Sequence, residues 1–104
     1  MDVSVMTIPG CPHLAEAVRD IQEALDLLGL APGRIQVIVV ETADQADEQG
    51  FLGSPTFLVD GSDLFHEPGR RAALSCRLYE TAAGLRGSPG VERLIAQLEA
   101  RAGR

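Results

Sequence analysis

Pro9-Gly10-Cys11-Pro12-His13 joins two stretches of different period, and its reading decides the fold. Ahead of it, Val3, Val5 and Thr7 alternate with Ser4, Met6 and Ile8, which predicts a strand with apolar groups on both faces. Behind it, Leu14, Ala17, Val18, Ile21, Leu25 and Leu28 recur at three- and four-residue intervals, while Glu16, Arg19, Asp20, Glu23 and Asp26 fill the other face. That pattern predicts an amphipathic helix of about four turns. Pro12 suits its first helical position, where a missing N–H costs nothing, and Gly29 with Pro32 supplies the stop. Cys11 is then expected at a helix N-terminus, where unpaired backbone N–H groups and the macrodipole favour a thiolate over a thiol.

Further along, Arg34 to Glu41 contains Val37-Ile38-Val39-Val40, a short β-branched run that predicts a buried strand reached through the helix as a crossover. Thr42 with Gln45 resembles a capping box and predicts a short helix from Ala43 to Gln49, ended by Gly50. Thr56-Phe57-Leu58-Val59-Asp60 reads as a third strand closed by the turn pair Asp60-Gly61. In Ser62 to Ala73, Pro68 and Gly69 mark a loop, and Leu64 and Phe65 belong either to a hairpin return or to the core. Arg77-Leu78-Tyr79 is the expected fourth strand. Ser88 is expected to cap a last helix with Pro89 at its first position and Val91, Leu94, Ile95 and Leu98 as its buried stripe. The order is β-α-β-α-β-β-α in one domain, residues 1–104, without repeats.

Composition narrows the function classes. Of 104 residues, 45% are hydrophobic and 23% charged, which suits a packed aliphatic core. Fifteen acidic against nine basic residues give a net charge of -6, which disfavours nucleic acid and anionic lipid surfaces as partners. No apolar run approaches the roughly 20 residues that cross a bilayer, and Met1-Asp2-Val3-Ser4 lacks the basic start of a signal peptide, so a cytoplasmic location is expected. Two cysteines are too few for a disulfide scaffold, which leaves thiols with packing or catalytic roles.

The second informative stretch is Gly53-Ser54-Pro55-Thr56, directly ahead of the third strand. A proline at a strand's first residue often marks a tight turn, and X-Pro bonds are almost the only ones found cis, so a cis Ser54-Pro55 bond is expected. With the element order and Cys11-Pro12, this stretch makes the chain resemble the thioredoxin-like superfamily over nearly its whole length. The resemblance implies an α/β fold with a central mixed four-stranded sheet flanked by helices, and a cis-proline loop facing the motif cysteine. Cys11-Pro12-His13 is similar to the first three residues of the Cys-Pro-His-Cys motif of bacterial disulfide oxidases. Leu14 stands where that motif has its second cysteine. Asp60-Gly61 follows the third strand as in glutaredoxins, while Ser62 to Ala73 exceeds the minimal glutaredoxin hairpin. Cys76-Arg77-Leu78-Tyr79, Gly84-Leu85 and Gly87-Ser88-Pro89 look like those of small bacterial thioredoxin-like proteins of poorly defined activity.

What the resemblance implies is single-cysteine thiol-disulfide exchange or reduction on a small-molecule or protein sulfur substrate. Cys11 would be the nucleophile, with His13 tuning it. Pro12, Ser54 and Thr56 would meet the substrate, Ser54 through its backbone and with Pro55 holding that backbone in place. Cys76 is expected in the core, with a resolving role as the alternative. Other readings stay open. A non-catalytic binding or adaptor domain would keep the fold without the chemistry. A thiolate that captures a soft metal or organometal is a third possibility. A zinc site of Cys11, His13, His66 and Cys76 matches no standard spacing, so no resident metal or cofactor is expected. Asp44, Asp47, Glu48 and Arg70-Arg71 read as solvated surface.

Overall fold

The computed structural model describes residues 1–30 and 34–103. Strand β1 (Val3–Thr7) leads through the Pro9-Gly10 turn into helix α1 (Leu14–Leu27), and β2 (Gln36–Val39) returns parallel to β1. Helix α2 (Ala43–Gln49) follows, then β3 (Thr56–Val59), antiparallel to β1, and the two-residue β4 (Ser62–Asp63). These four strands form one mixed sheet in the order β2-β1-β3-β4. A separate hairpin, β5 (Tyr79–Thr81) with β6 (Gly84–Arg86), precedes helix α3 (Val91–Arg101).

Local chemistry sets the element ends. Helix α1 stops at Gly29, whose φ of +69° suits a residue without Cβ. Its N–H bonds to Asp26 O while the Leu30 N–H bonds to Leu25 O, the paired bonds of a Schellman cap. Pro32, the other half of the expected stop, lies outside the described residues. The expected capping box is present on α2: Thr42 Oγ1 accepts from the Gln45 N–H, and Gln45 Oε1 accepts from the Thr42 N–H. Asp60 and Gly61, at φ +51° and +82°, make the tight turn between β3 and β4.

The main core lies between one sheet face and helices α1 and α3. Val3, Val5, Phe57 and Val59 meet Ala17, Ile21, Ala24, Leu25, Leu94 and Leu98, with Phe65 and Tyr79 at one end. The rings of Phe57, Phe65 and Tyr79 contact one another edge to face. On the other face, Met6, Val40, Ala46 and Phe51 form a smaller cluster under α2.

Three expectations about the elements fail. Gln36–Val39 is exposed at all four positions because β2 is the edge of the sheet; only the following Val40 is buried. The sheet's fourth strand is Ser62–Asp63 rather than Arg77-Leu78-Tyr79, since the Asp60-Gly61 turn returns the chain at once. Neither helix starts where proline suggested: α1 begins at Leu14 behind His13, and α3 at Val91 behind Gly90, so Pro12 and Pro89 lie outside them and Ser88 caps nothing. The Ser88 hydroxyl is instead buried without a hydrogen-bond partner.

Phe57, fully buried at the centre of the aromatic cluster, is the residue on which the main core is expected to depend most. Phe57→Ala should lower the unfolding free energy by about 3–5 kcal/mol, read as a fall in the urea midpoint.

Candidate functional site

Strand β1 ends in Ile8-Pro9-Gly10-Cys11, where Gly10 at φ +69° lets the chain turn back and the Cys11 N–H reach Ile8 O at 3.4 Å. A second turn, Leu14 N–H to Cys11 O at 3.4 Å, brings the chain into α1. Cys11 is thus a partly exposed thiol one turn ahead of the helix, whose cap position is taken by His13. Its sulfur has no hydrogen-bond partner among the described residues.

The Ser54-Pro55 peptide is cis, and its loop is tied to the turn that carries Cys11. Ser54 Oγ accepts from the Ile8 N–H at 3.1 Å and lies 3.0 Å from Thr7 Oγ1, which itself donates to Ile8 O. All three bonds are satisfied together when Ser54 donates to Thr7. Thr56 is buried; its hydroxyl donates to Gly53 O and accepts from Arg77, so its side chain faces inward and not toward a ligand. Pro12 is exposed and Pro55 buried.

His13 is partly exposed, with its ring packed on Gly87: a Cβ added there would lie 2.4 Å from Nε2. Nδ1 faces Glu16 at 4.0 Å, and no hydrogen bond joins His13 to the Cys11 thiol among the described residues. Beside it opens a cavity of about 340 Å³, lined by Glu16, Thr81, Arg86 and the Gly87–Gly90 turn among others.

Cys76 overturns the expectation of burial. It is exposed, and its segment forms a single parallel bridge with Ser54: the Ser54 N–H donates to Ser75 O at 2.8 Å and Ser54 O accepts from the Arg77 N–H at 2.9 Å. Ser54 therefore has both main-chain groups occupied by its own chain. The neighbour that goes inside is Arg77, only 1% exposed. Its guanidinium donates to Asp63 Oδ2 at 2.9 Å, Thr56 Oγ1 at 3.2 Å and Phe65 O, and sits 4.9 Å from the Tyr79 ring centre. Glu67 adds a more exposed carboxylate at 3.7 Å. The Arg77 backbone passes so close to Gly53 that a Cβ there would stand 2.9 Å from Arg77 Cβ, and Gly53 adopts φ +128°. Tyr79 completes the support, its hydroxyl donating to Pro55 O. Burial pushes the Tyr79 phenol well above its ordinary value, so it stays a protonated donor.

Of the expected site residues, the structure ties the turn bearing Cys11 to the Ser54-Pro55 loop, while the support behind that loop is not among the sequence expectations. The sequence places Arg77 and Tyr79 on one expected strand, and the spacing i, i+2 that puts both on one face is the available signal. Among the described residues no three His, Cys, Asp or Glu side chains are gathered to hold an ion, so Cys11, His13, His66 and Cys76 do not form one site. No described helix is long and apolar enough to cross a membrane. No family model matches the chain, and neither a curated protein nor a solved structure matches it.

Arg77→Met should cost about 3–5 kcal/mol by leaving Asp63 with no compensating charge, and should speed amide exchange at Ser54. Tyr79→Phe should cost about 1–3 kcal/mol, because the buried Pro55 carbonyl loses its donor. The Tyr79 contribution should hold below pH of about 10, the unfolded phenol's range, and decline above it as the unfolded state ionises first. Urea titrations of wild type and Tyr79→Phe across that range measure it.

Proposed function

We propose that the chain is a thioredoxin-like thiol protein that performs single-cysteine thiol-disulfide exchange with Cys11 as nucleophile. The observation that carries this reading is a partly exposed, unbonded thiol in the turn after β1, joined through Ser54 Oγ to a cis-proline loop. The sheet order β2-β1-β3-β4, the parallel β1-β2 crossover and the antiparallel β3 support the same fold reading.

In the reaction the Cys11 thiolate attacks one sulfur of a substrate disulfide. A bond forms between Cys11 and that sulfur, the substrate S–S bond breaks, and the departing thiolate takes up a proton. A second thiol then attacks the mixed disulfide and returns Cys11 to its reduced state. Leu14 offers no thiol within the motif, so that second thiol comes from an external molecule. Because Ser54 already spends its N–H and C=O on Ser75 and Arg77, no free main-chain edge remains there for an incoming polypeptide. A small disulfide fits such a site better than an extended chain does.

A second reading of product release rests on the exposure of Cys76 beside the same loop. Its thiolate attacks the Cys11 sulfur of the mixed disulfide, the substrate thiol leaves, and the resulting disulfide between Cys11 and Cys76 is reduced by an external thiol. Exposing the reduced protein to oxidised glutathione and weighing it intact tests both. Wild type should gain one glutathione at Cys11, and Cys11→Ser should lose that reaction. If Cys11→Ser reacts as wild type does, the nucleophile assignment fails and the non-catalytic binding domain takes its place. A longer-lived adduct in Cys76→Ser than in wild type would assign resolution to Cys76, and equal lifetimes would assign it to the external thiol.

A further inference from the structure

We infer that the protein associates with a second copy of itself through β2, the two four-stranded sheets joining antiparallel about a two-fold axis at Ile38. Strand β2 is one edge of the sheet, and no described strand pairs beyond it. Val37, Ile38 and Val39 are 46%, 37% and 48% exposed, an apolar β-branched run on an edge that no proline, lysine or bulge blunts.

The direction of the backbone groups selects the register. The Val40 N–H bonds to Thr7 O at 2.8 Å, so residue 40 turns toward β1. By alternation Gln36 and Ile38 do the same, while Val37 and Val39 turn their N–H and C=O groups outward. In an antiparallel pair, outward-turned residues must face outward-turned residues. A two-fold axis at Ile38 meets that condition. Val37 then faces Val39 of the second copy in a hydrogen-bonded pair, Val39 faces its Val37, and Ile38 faces Ile38 in the close non-hydrogen-bonded pair.

A two-fold interface has to be self-complementary, and the run Val37-Ile38-Val39 reads the same in both directions. Val meets Val on one face of the extended sheet and Ile meets Ile on the other, the β-branched pairings that stabilise neighbouring strands. The flanking charges favour the same arrangement. Arg34 precedes β2 and Glu41 follows it, so antiparallel pairing sets each basic end beside the acidic end of the other copy. Parallel pairing would set like beside like. The net charge of -6 on each copy opposes association, so the dimer tightens as salt screens that repulsion.

Sedimentation of the full reduced chain over a concentration series tests the inference. Wild type should move from the mass of one copy to twice that mass as concentration rises. Val39→Pro removes an N–H that points away from β1, so the β1 ladder keeps its bonds and the dimer should be lost. A second arm does not depend on that variant folding. In a Cys11→Ser, Cys76→Ser background, Ile38→Cys should oxidise readily to a covalent dimer, since a non-hydrogen-bonded pair brings the two Cα atoms to about 4.5 Å. The exposed control Glu48→Cys should cross-link far more slowly. A wild type that keeps the mass of one copy throughout overturns the inference, as does Ile38→Cys cross-linking no faster than the control. Undiminished dimer in a folded Val39→Pro protein would overturn the β2 register.

Discussion

The buried guanidinium of Arg77 is the contact on which the candidate site depends. Removing a charge of this kind from water costs several kcal/mol, and only a close counter-charge with well-aimed hydrogen bonds offsets that. Asp63 on β4 supplies the counter-charge, and Thr56 on β3 and the Phe65 carbonyl supply acceptors. One side chain thereby joins two strands of the sheet to the segment after them. An apolar residue of similar length would fill the space without fixing directions, whereas the planar fork of arginine fits only when its partners stand in a particular arrangement. Since whole domains are stable by only about 5–15 kcal/mol, a network of this size decides whether the 63–80 region folds one way.

From that anchor the site follows by short steps. With the Arg77 side chain held inside, its N–H reaches Ser54 O, Ser75 lies against the Ser54 N–H, and Cys76 is turned outward between them. Tyr79, two residues on and on the same face, donates to Pro55 O and closes the other side of the loop. Ser54 then passes the constraint on through its hydroxyl to Thr7 and Ile8, and so to the turn bearing Cys11. The loop beside the thiol is fixed from both sides. Rigid support of this kind suits the proposed exchange, in which three sulfur atoms must come into line.

What the sequence made legible was the local chemistry. Thr42 with Gln45, Pro9-Gly10, Gly29 and Asp60-Gly61 act within a few residues of themselves, and each makes the structure its residue types demand. What stayed hidden required knowing which face of a segment turns inward. Arg77-Leu78-Tyr79 alternates, but alternation leaves two choices, and hydrophobicity favours the wrong one: Leu78 is 58% exposed while Arg77 is buried. A shift of one residue exchanges every side chain between faces, and Cys76, expected inside because cysteine is so often buried, stands on the outer face. Ser88 looked like a helix cap because serine and proline commonly share that role, yet the helix starts two residues later behind Gly90.

The two edges of the sheet received different treatment. Beyond β4 the chain spends residues 64 to 90 on a return loop, a bridge to Ser54 and a hairpin, and Arg101 at the end of α3 donates to the Val59 and Asp63 carbonyls. Strand β4 is also only two residues long, a common way to limit edge pairing. Beyond β2 no described strand follows, and the β-branched residues that usually mark a sheet interior stand on its rim. Sequence pattern records how apolar a strand is and not which molecule covers it. A run such as Val37-Ile38-Val39 therefore reads as buried whether the covering surface belongs to its own chain or to another, and the failed expectation of burial within one copy is what directs attention to a second.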